Sequence, residues 1–263
     1  MINGSRWRNT PMNPTITTIT PSFGWRMLGD SPMLSDTELA LLRDVELFDG
    51  LAPEQAAQIS RRLVRRTFPA GTNLMSVEQP GEVVYIILNG TVKIHVEQAD
   101  GTDVIIAMLG AGDTVGEMSL IDSAGRSATV VTQEESTLLW MNRTAFLEAL
   151  QNAPVITLNL VRMLSSRLRL ANEQIQALAT LDVHGRVARQ LLAFAQKYGH
   201  ADETGTVQIP IRLTQSDLAG LVGASRERVN QVIGYFKQRR YLSVDQHYHI
   251  SLHNLEALAK RIR

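Results

Sequence analysis

The sequence contains no cysteine. That excludes disulfides, thiolate zinc sites and cysteine-ligated iron–sulfur clusters, and it suits a cytoplasmic protein. No apolar run approaches the roughly 20 residues that span a bilayer, so no membrane segment is expected. The apolar core of a signal peptide is missing too. Residues 1–34, with "NTPMNPTITTITPS" among them, are rich in Thr, Pro, Ser and Asn and carry no helical period. They read as a disordered extension, with Met33 open as an alternative start. The six histidines (His95, His184, His200, His247, His249, His253) show no ligand spacing beyond His247 and His249, which read better as exposed polar positions on one strand. No metal site is expected, and no nucleophile–base pair suggests an enzyme.

Net charge is also absent, but the zero is a sum of unequal parts. From Gly205 onward nine Lys and Arg face four acids, a surplus of five positive charges, so the remainder carries about the same surplus of negative ones. A basic C-terminal piece on an acidic body points to a polyanionic partner.

What is present divides by its period. "LSDTELALLRDVELFDGLAPEQAAQISRRL" predicts short helices, one restarted at Pro53. From about Phe68 to Met141 the pattern becomes that of strands. In "TVKIHVE", Val92, Ile94 and Val96 alternate with Lys93, His95 and Glu97, and Asn89-Gly90 and Asp100-Gly101 supply hairpin turns. "VVYIILNG", "DVIIAMLG", "SATVVT" and "STLLWM" add short strands at a spacing of roughly ten residues, which implies a β-sandwich or barrel of jelly-roll type. Residues 35–153 are assigned to this domain with its flanking helices. Residues 154–180 then form one long helix on which Val161, Leu164, Leu168, Ala171, Ile175 and Leu178 step by three and four. The stripe is narrow and flanked by polar residues, as in a two-helix seam, so a homodimer is expected.

Residues 181–263 hold the most specific helical pattern, "LTQSDLAGLVGASRERVNQVIGYFKQRRYL". Thr214 and Asp217 make a capping box for a helix that buries Leu218 and Leu221. Val222-Gly223-Ala224 is a tight turn, and Ser225 caps a second helix whose Val229, Val232, Ile233 and Phe236 face inward. This is a helix-turn-helix, followed by a hairpin wing in "YLSVDQHYHISL" and a short helix with Leu255, Leu258 and Ile262. The face expected to meet DNA comprises Thr214, Gln215, Ser225, Arg226, Glu227, Arg228, Asn230 and Gln231. An Arg fork matches guanine, Glu accepts from cytosine N4 and Gln prefers adenine, whereas Arg228, Lys237, Arg239 and Arg240 suit phosphates.

One further stretch, "VGEMSLIDSAGRSATV", places Gly116-Glu117 and Arg126-Ser127-Ala128 nine positions apart among small and apolar residues. Together with "LDVHGRVARQLLAFAQ" and "LTQSDLAGLVGASRERVNQ", in that order, it resembles the Crp/Fnr family of bacterial transcription regulators. The resemblance covers roughly residues 38–263. It implies an α+β chain: an N-terminal cyclic-nucleotide-binding jelly roll, a dimerisation helix and a C-terminal winged helix-turn-helix.

In this family such a stretch is a phosphate-binding cassette. By resemblance, a short helix starting near Gly116 offers amide hydrogens to an anion, Glu117 accepts from a ribose 2′-hydroxyl, and Arg126 forks onto the cyclic phosphate. Ser127 adds donors, Ala128 lets the strand close in, Ser119 lies in the same cassette, and Met118 and Leu120 are expected to pack beneath it. The positions that meet the base in cyclic-AMP receptors fall on Ala171 and Asn172, and Ala171 lacks the usual hydroxyl. Cyclic AMP is the expected effector, with cyclic GMP, cyclic di-GMP or none as alternatives. The half-site is expected to be TGTGA-like with a shift at the base pair read by Gln231, where the family usually has Arg. Partners implied by the resemblance are double-stranded DNA with a near-palindromic operator and RNA polymerase.

Overall fold

A computed structural model describes residue 42 and residues 45–77, 79–98 and 103–262. The expected N-terminal extension and the Asp100-Gly101 turn lie outside these residues. The described chain begins with a 3-10 turn, Glu46–Phe48, and helix α1, Pro53–Ser60, which has its proline in the first turn. Strands β1 (Val64–Phe68), β2 (Asn73–Met75), β3 (Val83–Asn89), β4 (Val92–Glu97), β5 (Asp103–Leu109) and β6 (Thr114–Val115) follow, then the one-turn helix α2 (Met118–Ile121), β7 (Thr129–Thr132) and β8 (Ser136–Asn142).

The eight strands form two antiparallel four-stranded sheets, ordered β1-β8-β3-β6 and β2-β7-β4-β5. Phe68, Ile87, Val115 and Leu138 from the first sheet meet Met75, Val92, Leu109 and Val130 from the second. Because side chains alternate along a strand, the first sheet has a second face to cover. Val84, Ile86, Leu139 and Met141 pack there against helices α3 (Arg143–Asn152) and α4 (Pro154–Thr180) through Phe146, Ile156, Leu160 and Met163. The Asn89-Gly90 turn reverses the chain with Gly90 at φ +97°, a backbone that glycine adopts without strain.

Helix α4 runs for 27 residues and ends at the extended Leu181. Asp182 then accepts a hydrogen bond from the Gly185 amide and starts α5, Val183–Tyr198. After β9 (His200–Ala201) and β10 (Val207–Ile209) come α6 (Gln215–Val222), α7 (Arg226–Gln238), β11 (Leu242–Val244), β12 (Ile250–Leu252) and α8 (Leu255–Ala259). The wing is larger than the expected hairpin, because β9 and β10 join it in a sheet ordered β11-β12-β10-β9. Two- and three-residue strands carry too few positions to show a period, so their pairing was not legible.

The core of the C-terminal domain does not close on itself. It includes Ile105 and Met108 of β5, both buried, so the helix-turn-helix rests against the jelly roll.

Candidate functional site: a buried acid–base cassette and an exposed recognition helix

Between β6 and β7 the chain builds a small polar cluster. Gly116 has φ +92°, and a Cβ there would lie 2.7 Å from Arg126 Nη1, 2.9 Å from Met75 Cε and 3.1 Å from Val83 O. The position needs glycine both for its backbone angle and for the guanidinium stacked on it. Arg126 is only 5% exposed. Its Nη1 donates to Gly116 O at 2.7 Å and to Ser119 Oγ at 2.8 Å, and its Nη2 to Val83 O at 2.6 Å. Among the described residues three of the five guanidinium N–H groups are thus engaged, which leaves two for another acceptor. Burial lowers the Arg126 pKa, opposed by the charges of Tyr85, Glu117 and Glu82.

Glu117 is 1% exposed. Its Oε1 accepts from Arg167 Nη1 on α4 at 2.7 Å, and Arg167 Nη2 donates to Thr114 O. Its other oxygen, Oε2, has no hydrogen-bond partner among the described residues. A buried carboxylate oxygen without a donor costs free energy, so this oxygen suits a ligand that brings a hydroxyl. Buried acid, guanidinium with spare donors and a glycine cradle together fit a sugar–phosphate.

In the C-terminal domain, Thr214 Oγ1 accepts from the Asp217 amide at 3.1 Å, and the Asp217 carboxylate accepts from the Thr214 amide at 2.9 Å, which caps α6 at both ends of the box. Gly223 ends α6 in the left-handed region at φ +59°. Ser225 accepts from the Arg228 amide at 3.3 Å and caps α7. Val229, Val232, Ile233 and Phe236 face inward, and Arg226, Glu227, Arg228, Asn230 and Gln231 are exposed. Some of the exposed groups pair with one another: Gln215 donates to Asn230 at 3.0 Å and Arg228 to Gln231 at 3.3 Å.

Two family models match the chain: the cyclic nucleotide-binding domain over residues 65–153 and the Crp-like helix-turn-helix domain over residues 185–261. The chain is 34% identical to the CRP-like cAMP-activated global transcriptional regulator of Mycobacterium tuberculosis strain H37Rv, over 85% of this chain and 99% of that one. It is 32% identical to the cyclic AMP receptor protein of Thermus thermophilus, over 71% of this chain and 83% of that one. Among solved structures, the c-di-GMP responsive global regulator CLP of Xanthomonas campestris matches with a TM-score of 0.62 and 25% identity, over 76% of this chain and 99% of that one. The chain belongs to the Crp/Fnr family.

This Crp/Fnr regulator therefore joins a cyclic nucleotide-binding domain to a DNA-binding helix-turn-helix. No helix among the described residues is long and apolar enough to cross a membrane. Its relatives are transcription regulators, and the described residues hold no metal-ligating cluster.

The short helix expected near Gly116 starts at Met118 and makes a single turn. One expectation for the cassette is corrected. Leu120 is fully buried beneath it, but Met118 is 49% exposed, because a one-turn helix can turn only one flank to the core. Ser127 is exposed and Ala128 half-buried, while Ala171 and Asn172 lie on an exposed face of α4. The residue that reaches the cassette from α4 is Arg167. Sequence reading passed over it as one of several polar residues flanking the seam. Its spacing, one helical turn before Ala171, was the available signal.

Proposed function

We propose that the chain is a homodimeric transcription regulator, acting in the cytoplasm, whose DNA binding is controlled by a cyclic nucleotide, cyclic AMP foremost, held by the cassette. The observation that carries this reading is the pair of buried, incompletely satisfied groups: Glu117 Oε2 without a donor and Arg126 with two spare N–H groups. A ribose 2′-hydroxyl supplies the first, and a cyclic phosphate takes the second as a charge-assisted contact. Gly116 leaves room for the Arg126 guanidinium that grips the phosphate, and Ser119 and Ser127 add hydroxyls. The names of the mycobacterial and Thermus relatives favour cyclic AMP.

Dimerisation is supported by the seam on α4, where Leu168 is 63% and Ile175 66% exposed in the single chain. Paired α4 helices bury that stripe and bring Asn172 within reach of a partner's ligand. They also present two α7 helices to successive major grooves about 34 Å apart on a near-palindromic operator. On α7, Arg226 and Glu227 read base edges, Gln231 and Asn230 extend the reading, and Thr214, Gln215, Ser225 and Arg228 hold the backbone. RNA polymerase is the downstream partner.

A second reading has its own support. Ala171 offers no hydroxyl to an adenine amine, and a structurally similar relative is described as responsive to c-di-GMP. Calorimetric titration of cyclic AMP, cyclic GMP and cyclic di-GMP into the purified protein separates the two. Arg126→Leu should abolish the heat of whichever ligand binds, and unchanged binding by that variant would refute the cassette assignment.

A further inference from the structure

The DNA-binding domain is held against the jelly roll at a point three residues from the cassette. Asp113 forms the tight turn between β5 and β6, where its amide donates to Gly110 O at 3.1 Å and its Oδ2 accepts from the Gly110 amide at 3.1 Å. The same buried carboxylate accepts from Lys197 Nζ at 2.5 Å and from Tyr198 Oη at 2.5 Å, both at the end of α5 in the DNA-binding domain. Two further contacts join the same two domains. Thr91 Oγ1 accepts from the Arg212 amide at 3.1 Å and donates to Glu134 at 2.6 Å. Ile105 of β5 presses on Gly220 of α6 so closely that a Cβ there would lie 2.8 Å away.

The segment Asp113–Glu117 therefore touches three parts of the molecule within five residues. Asp113 grips the DNA-binding domain, Thr114 O and Glu117 accept from Arg167 on α4, and Gly116 O accepts from Arg126 of the cassette. Thr114 and Val115 pair with β3, so Asp113 and Glu117 sit at the two ends of one rigid unit and are positioned together.

We propose that Asp113, with Lys197 and Tyr198, is an interdomain latch that couples occupancy of the cassette to the position of the helix-turn-helix, and that the latched arrangement is the one competent for DNA. This rests on the cyclic-nucleotide reading of the cassette. The sign follows from two features of the latched arrangement. The reading face of α7 is exposed, so docking does not cover it. The unpaired Glu117 Oε2 accepts an effector hydroxyl without Arg167 having to leave Oε1. Effector and DNA thus select the same arrangement, and each favours the other.

The test uses full-length protein with Lys197→Met and Tyr198→Phe, which remove both donors and leave the Gly110–Asp113 turn and the cassette intact. DNA affinity is read by fluorescence anisotropy on a duplex selected from random sequence by the wild type, with and without saturating cyclic AMP. Calorimetry with cyclic AMP and amide exchange over α6 are measured alongside. The latch predicts about a ten-fold weaker complex at saturating cyclic AMP, the order expected when charge-assisted bonds are lost, with faster exchange in α6. Tyr198→Phe alone, which folds if the double variant does not, should give part of the same loss. A wild type that responds to cyclic AMP beside variants that bind DNA equally well or better overturns the latch. A wild type that takes up none of cyclic AMP, cyclic GMP and cyclic di-GMP overturns the cassette reading instead, and equal exchange over α6 in wild type and variant then overturns the latch as well.

Discussion

Replacing Gly116 by alanine tests the cassette at its tightest point. Two costs arise from one methyl group. The backbone at φ +92° is open to glycine and strained for any L side chain, at about 1–3 kcal/mol. The new Cβ would also stand 2.7 Å from Arg126 Nη1, so the guanidinium must leave Gly116 O and Ser119 Oγ or push Met75 aside. A charged hydrogen bond lost in a buried setting is worth about 1.5–3 kcal/mol. If half of that disturbance is carried into ligand binding, the affinity for cyclic AMP falls by about three- to ten-fold, since 1.4 kcal/mol is a factor of ten. The melting temperature should fall by about 5 °C, as expected for roughly 2 kcal/mol in a protein of this size. Calorimetric titration and thermal denaturation of the purified variant give both numbers. A Gly116→Ala protein that melts with the wild type and binds cyclic AMP within two-fold of it would show that Arg126 is not held where its bonds place it.

Other outcomes follow from the same contacts. Tyr198 is buried against Asp113, and burial first and then the Asp113 charge raise its pKa well above 10.0. Its neutral form is favoured in the folded state, so this stabilisation is present below pH 10 and is lost as pH rises towards the folded value; Tyr198→Phe should flatten that alkaline limb in urea titrations. On the α4 seam, Leu168→Asp with Ile175→Asp places four charges in a paired stripe, and sedimentation should show monomers with weakened DNA binding and an intact fold. At the recognition helix, Gln231→Arg should move the selected half-site towards guanine at one base pair, by about 1–3 kcal/mol of discrimination, read by selection from random DNA. An unaltered preference would mean that Gln231, already paired with Arg228, does not reach a base.

Sequence by itself determined the features whose causes lie within a few residues of one another. Thr214 and Asp217 are three positions apart, as a capping box demands, and Gly223 stands where only a left-handed residue can end the helix. The alternation of "TVKIHVE" and the steps of three and four from Val161 to Leu178 mark the β4 strand and the exposed seam of α4, because periodicity is a local property of the backbone. The acid and base of the cassette, nine positions apart, were legible only through the resemblance of their stretch to the Crp/Fnr family.

Tertiary structure alone decided the rest. Arg167 meets Glu117 across 50 residues and Lys197 meets Asp113 across 84, and no pattern along the chain joins such pairs. It also left Met118 in solvent and drew β9 and β10 into the wing. Each depends on which surfaces the folded layers bring together, and the free energy of covering Ile105 and Met108 with a second domain exists only once both have folded.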